Sequence, residues 1–328
     1  MKLHRATALS LLVVAVVAAA SCGRGTPTPA APGVEKATIV VGAMPNPDSA
    51  PLHMAVQRGY FAQQGLTVKI REIQSGTAAL VPLQGGGLDF TLGNYVSTYA
   101  AQSQGAGPFL LVEDAYEAAP GTFLLMVPPK SPIKGLTDLR GKRIAVASVR
   151  SIVTLAVDNA LETAGMSEQD VQFVSMPFPD MLSQLMNERV DAAVLIEPFI
   201  SQFQKDFGGR EVWDLMSGSM GNFPIAAWTT TVRFAKQYPN TTAAFQRAMA
   251  RAQNDASWSH KAVVDILPTF TKIPSTVAEH ITMGNFPVNL SVTRAQRVAD
   301  VMAEHGYLDK PLDVKAILAA QPTAGGAS

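Results

Sequence analysis

One rhythm, played twice, constrains this chain most: short apolar segments alternate with amphipathic helical ones. In the first run Thr38–Val41 is a continuous apolar stretch of the kind buried on both faces. Thr67–Arg71 alternates polar with apolar, and Leu88–Leu92 is a third strand. Between them Leu52, Val56 and Tyr60 recur at helical spacing, and Ala78–Gln84 is a short helix stopped at Gly85–Gly87. The second run repeats this with strands at Arg143–Ala147, Val171–Val174 and Ala192–Ile196, and helices at Ser151–Ala164 and Asp180–Asn187. Two successive β-α-β-α-β patterns predict two α/β lobes with mainly parallel sheets. The last hundred residues are different, helical and without clear strands. Phe245, Met249, Ala252 and Ala256 share one helix face, and Ala295, Val298 and Met302 another. Helices of that kind must pack back onto an earlier lobe, which makes that lobe discontinuous in sequence.

The N-terminus predicts the compartment. Lys2, His4 and Arg5 precede an almost unbroken apolar run from Ala6 to Ala20. That run is short of the roughly 20 residues a membrane span needs, and its layout is that of a secretory signal over residues 1–21. Ala19-Ala20-Ser21-Cys22 resembles the bacterial lipobox, although Leu is usual where Ala19 stands. The resemblance implies acylation of Cys22, the sole cysteine, and a membrane anchor; the plainer reading is an ordinary signal with a chance cysteine. Residues 22–37, rich in Gly, Pro, Thr and Ala, have little to bury and are expected to form a flexible tether. Residues 322–328 are expected to be a loose tail. Lys plus Arg balance Asp plus Glu at 26 each, without a dense basic run, so no nucleic-acid partner is expected.

Four motifs in order carry a family resemblance. Pro51–Val68 contains "A-V-Q-R-G-Y-F-A-Q-Q-G-L-T-V", followed by Gly86-Gly-Leu-Asp-Phe90, then Ile133–Val146 with "D-L-R-G-K-R-I-A-V", then Val190–Pro198 with "V-D-A-A-V-L-I-E-P". Together, over residues 38–240, they resemble the alkanesulfonate, nitrate and thiamine-precursor binding proteins that serve ABC importers. The resemblance implies a type II periplasmic-binding-protein fold, with two lobes, two crossovers and a solute in the cleft. The crossovers are expected near Leu125-Met126 and Trp228-Thr229. Lobe one is then 38–125 plus 229–321, and lobe two 126–228. A monomer outside the cytoplasm, holding a small molecule, contacting importer transmembrane subunits and needing no cofactor, follows from the same resemblance.

Ligands of open α/β sheets sit beyond the carboxyl ends of the strands. That rule nominates the loops Met44–Ser49, Gln74–Thr77, Gly93–Tyr95 and Ser148–Ser151. Ser75, Gly76, Thr77, Ser148, Arg150 and Ser151 can receive an anionic head at helix N-termini, although the hydroxyl residues are equally good caps. Arg150 is either an anion clamp or a surface arginine. Asn46, set between two prolines, and Asn94 are further candidates. Glu197 either meets an amine on the ligand or serves the start of the next helix; Tyr95, Tyr116 and Trp228 either touch the solute or fill the core. An anion such as an alkanesulfonate, taurine-like compound or nitrate is the first ligand reading. An aminopyrimidine or other heterocycle is the second.

Enzyme motifs are not matched. Ser131-Pro-Ile-Lys134 reads as a loop rather than a helix turn. The histidines at 4, 53, 260, 280 and 305 have no metal-ligand spacing. The pyrimidine-synthase branch of the superfamily relies on a cysteine-rich run, and no cysteine follows Cys22. A surface lipoprotein without transport activity is the remaining alternative.

Overall fold

The structure is a computed structural model in which residues 33–322 are described. The expected signal segment, the lipobox-like stretch with Cys22, residues 22–32 of the expected tether and residues 323–328 lie outside the described residues. The end of that tether is instead held to the first lobe, Glu35 accepting from the Asn240 and Thr241 N–H groups and Lys36 pairing with Asp89. No helix among those described is long and apolar enough to cross a membrane.

The strands are β1 (Thr38–Ala43), β2 (Thr67–Glu72), β3 (Phe90–Asn94), β4 (Phe109–Glu117), β5 (Leu124–Val127), β6 (Arg143–Val146), β7 (Gln172–Ser175), β8 (Ala192–Leu195), β9 (Arg210–Asp214) and β10 (Pro224–Thr231). They form two five-stranded sheets, ordered β2-β1-β3-β10-β4 and β7-β6-β8-β5-β9. In the first sheet β1 pairs in parallel with β2 and β3, while β10 runs antiparallel to β3 and β4. In the second, β6 pairs in parallel with β7 and β8, and β5 runs antiparallel to β8 and β9. Each sheet is therefore mainly parallel with one reversed strand, the two-lobe α/β arrangement expected. Six of these strands match the apolar segments read from sequence; β4, β5, β9 and β10 were not foreseen.

The helices are α1 (Ala50–Gln57), α2 (Tyr60–Gln63), α3 (Gly76–Gln84), α4 (Tyr95–Ser103), α5 (Ile152–Thr163), α6 (Phe178–Met186), α7 (Phe199–Phe207), α8 (Val232–Gln237), α9 (Pro239–Trp258), α10 (His260–Ile266), α11 (Ser275–Ala278) and α12 (Val292–Glu304). Gly59, at φ 71°, separates α1 from α2, a left-handed turn that suits glycine.

The chain passes from the first sheet to the second between Glu117 and Leu124, and returns between Asp214 and Pro224. Both passages come a few residues before the expected crossovers. Leu125 and Met126 already pair with β8, and Trp228 and Thr229 lie inside β10 of the first sheet. Continuous apolar segments that looked like connections are strands buried on both faces.

The C-terminal helices cover the first sheet. Phe245 of α9 stacks on Phe90 of β3 with centroids 3.9 Å apart. β4 is an edge strand, and an edge needs partners for its free backbone groups. Gln246 and Gln253 of α9 supply them, donating to the carbonyls of Val112, Asp114 and Ala115. Arg294 of α12 donates to the buried carboxylate of Asp114 at 2.8 Å, and the Tyr95 hydroxyl donates to the same group at 2.8 Å.

Candidate functional site

A cavity of about 50 Å³ lies between the carboxyl ends of the two sheets. Lobe one lines it with Met44 and Asp48 after β1, Ser75 and Gly76 at the start of α3, and Leu92, Gly93 and Asn94 at the end of β3. Ile225 and Ala226 of β10 complete that wall. Lobe two contributes Phe123, Ala147, Ser148 and Ser151, then Ile152, Val153, Phe178 and Ile196. A water-sized centre needs roughly 10–15 Å³, so the space suits a compact group of a few heavy atoms.

Three helices, α3, α4 and α5, begin at this wall, and the first two are capped by side chains from it. The Ser75 hydroxyl accepts from Ala78 N at 3.1 Å, and Asn94 Oδ1 accepts from Ser97 N at 2.7 Å. Ser151 stands at the N-cap position of α5 without a side-chain cap bond, its hydroxyl donating instead to the Ser148 carbonyl at 2.7 Å and its N–H to Thr154 Oγ1 at 3.1 Å. The backbones of α3 and β3 are so close that a Cβ on Gly76 would lie 3.0 Å from Asn94 N and Gly93 Cα. Thr77 does not line the cavity. Its hydroxyl lies 2.6 Å from Ser97 Oγ and 3.0 Å from Ser148 Oγ, and so bridges the two lobes at the rim.

Asp48 is the one ionisable side chain in the lining. Burial pushes its carboxyl up to about 7, opposed by its own backbone N–H. Asp48 lies in the loop nominated from sequence, two residues from the candidate Asn46. Asn46 is buried, and neither its Oδ1 nor its Nδ2 has a partner among the described residues. An acidic residue in a loop already nominated was the signal for Asp48.

Of the sequence candidates, Ser75, Gly76, Asn94, Ser148 and Ser151 come together in the lining, and the others fall elsewhere. Arg150 points away as a clamp would not: its guanidinium donates to the Tyr307 carbonyl at 2.8 Å and lies over the Tyr307 ring. Tyr95 is fully buried, its hydroxyl committed to Asp114. Trp228 is also fully buried, edge-on to Phe245 beneath α9. Tyr116 is buried against Phe286 and accepts from Gly284 N. Glu197 is not in the lining but falls directly after Ile196, its carboxylate accepting from the Ser201 N–H and hydroxyl at the start of α7. Burial raises its pKa, against those hydrogen bonds. The three aromatics lie in the core because core and site residues share a composition and only burial separates them, whereas exposed Arg150 is held by Tyr307. Among the described residues no group of three or more His, Cys, Asp or Glu could hold a metal.

Residues 46–258 match the model of the family described as NMT1/THI5 like. The chain belongs to that family. Its NMT1/THI5-like relatives include the riboflavin-binding protein RibY of Chloroflexus aurantiacus, 27% identical over 76% of this chain and 74% of that one. A 4-amino-5-hydroxymethyl-2-methylpyrimidine phosphate synthase of Saccharomyces cerevisiae is 24% identical over 50% of this chain and 46% of its own. Among solved structures, the alkanesulfonate-binding protein SsuA of Xanthomonas axonopodis pv. citri, bound to MOPS, superposes with a TM-score of 0.73 at 20% identity. That match covers 88% of this chain and 99% of SsuA, and it establishes the shared fold.

Proposed function

We propose that this chain is an extracytoplasmic solute-binding protein that delivers a small solute to an ABC importer. The observation that carries the reading is the cavity walled by strand ends of both lobes and bridged by Thr77 and Ser148. A solute there is buried by hinge closure, and its presence is signalled by the closed shape. Anchoring through acylated Cys22 belongs to the same proposal: Cys22→Ser is expected to release or misprocess the protein, read by detergent partition and gel mobility.

Asp48 bears on the ligand. Nitrate or a plain alkanesulfonate has helix N-termini to meet, worth about 0.3–1 kcal/mol each, but no cationic side chain in the lining. A taurine-like solute offers an ammonium to Asp48 and its sulfonate to the helix ends. The second reading, an amino-bearing heterocycle, is favoured by the same carboxylate beside the rings of Phe123 and Phe178. Calorimetric titration with nitrate, an alkanesulfonate, taurine, an aminopyrimidine and riboflavin tests the proposal. Saturable one-to-one binding lost in Asp48→Asn supports it. Capture of a partner protein without binding of any of these solutes would overturn it in favour of a non-transport lipoprotein.

A further inference from the structure

A second and larger cavity, of about 510 Å³, opens between the same two lobes. The two cavities share their walls in a regular way. After β1, Met44 lines the inner one and Pro45 the outer; at the start of α6, Phe178 the inner and Pro179 the outer; after β8, Ile196 the inner and Pro198 the outer. Three wall segments therefore border both spaces, each with an apolar side chain on the inner one and a rigid proline ring on the outer. Buried Glu197 lies in the third of these segments.

The outer chamber has its own chemistry. Phe199 and Phe270 line it, and each ring is backed by another: Phe199 by Phe178 at 5.7 Å and Phe270 by His53 at 3.7 Å, both nearly coplanar. Backed rings beside prolines form flat, stiff apolar walls. Around them stand Lys205, Lys272, Asp206 and Glu72, none in an ion pair among the described residues. Its volume falls within the about 300–1,000 Å³ of pockets that bury whole organic ligands, whereas the inner cavity holds only a compact group.

We infer that the site takes a two-part solute: an N–H-donating head in the inner chamber against Asp48, and a flat ring body in the outer chamber between Phe199 and Phe270, its polar end at Lys205 and Lys272. This rests on the solute-binding reading and decides between its two ligand classes, for the ring compound over the taurine-like one. Taurine has no body to fill the outer chamber.

The test titrates the full chain with taurine and with riboflavin as the ring-bodied probe, and follows acetylation of Lys205 and Lys272 by mass spectrometry under saturating probe. The expected result is riboflavin binding at least tenfold tighter than taurine. Both lysines should be protected severalfold by riboflavin, and riboflavin affinity should fall at least fivefold in Phe270→Ala. Lysine protection is read on the unmutated protein, so it stands even if that variant folds poorly. Taurine binding more tightly, or riboflavin bound with both lysines still labelled at the free rate, would overturn the two-chamber inference while leaving solute binding intact. Binding of neither probe would overturn this inference, and with loss of every other solute of the panel the solute-binding reading falls too.

Discussion

The two walls of the inner cavity differ in kind. Lobe one brings a carboxylate, Asp48, with the caps Ser75 and Asn94; lobe two brings Phe123, Ile152, Phe178 and Ile196 with two serines. Polar recognition thus sits mainly on the lobe that also holds the C-terminal helices, and apolar closure on the lobe that lacks them. A solute would first meet directional groups on one side and then be covered by a less demanding surface from the other.

The largest expected effect tests the polar wall. Asp48→Asn should weaken an N–H-donating solute by about thirtyfold, in keeping with the ~1.5–3 kcal/mol of a hydrogen bond to a charged group. In the wild type, affinity should rise as pH climbs through about 7, where Asp48 ionises, and calorimetry of the variant should show a flat profile. If the variant binds as tightly as wild type, the division of labour is wrong. Phe178→Ala, on the apolar wall, should cost about tenfold through lost burial, with the pH profile unchanged.

A smaller effect separates lobe stability from solute chemistry. Burial raises Glu113 to about 8 and Asp158 to about 7. Folded values above the unfolded ones mean stability is fullest below the ordinary carboxylate range and is lost as pH rises through 7 and 8. Denaturant unfolding should therefore show a less stable protein at pH 8.5 than at pH 5. Glu113→Gln should recover about 1 kcal/mol at the higher pH without altering solute affinity. The smallest change is at Arg150: Arg150→Ala should shift affinity by less than threefold, because its guanidinium is spent on Tyr307. A tenfold loss in titration would return Arg150 to the solute.

Much of this was legible in the chain. The strands β1, β3, β6 and β8 are compact apolar segments followed by helix starts, so both the sheets and the loops that line the cavity could be read from periodicity. Ser75, Asn94, Ser148 and Ser151 line the cavity because the loop between a strand's carboxyl end and the next helix is also a cleft position. β4 was hidden because Glu113 and Asp114 look like surface residues, and Asp114 is neutralised by Arg294, 180 positions away. β10 was hidden because its neighbours, β3 and β4, both precede it by a hundred residues or more. Pairings that depend on distant partners leave no local period.

The placement of β10 also orders events in time. Every strand of the second sheet lies between Leu124 and Asp214, so that sheet can assemble from one contiguous stretch. The first sheet has a gap at its centre, between β3 and β4, until β10 arrives from beyond the second. For a chain emerging amino end first, lobe two is complete before lobe one can close its middle. The lobe carrying Asp48 is then the slow one, delayed by the loop-closure cost of its long-range pairing.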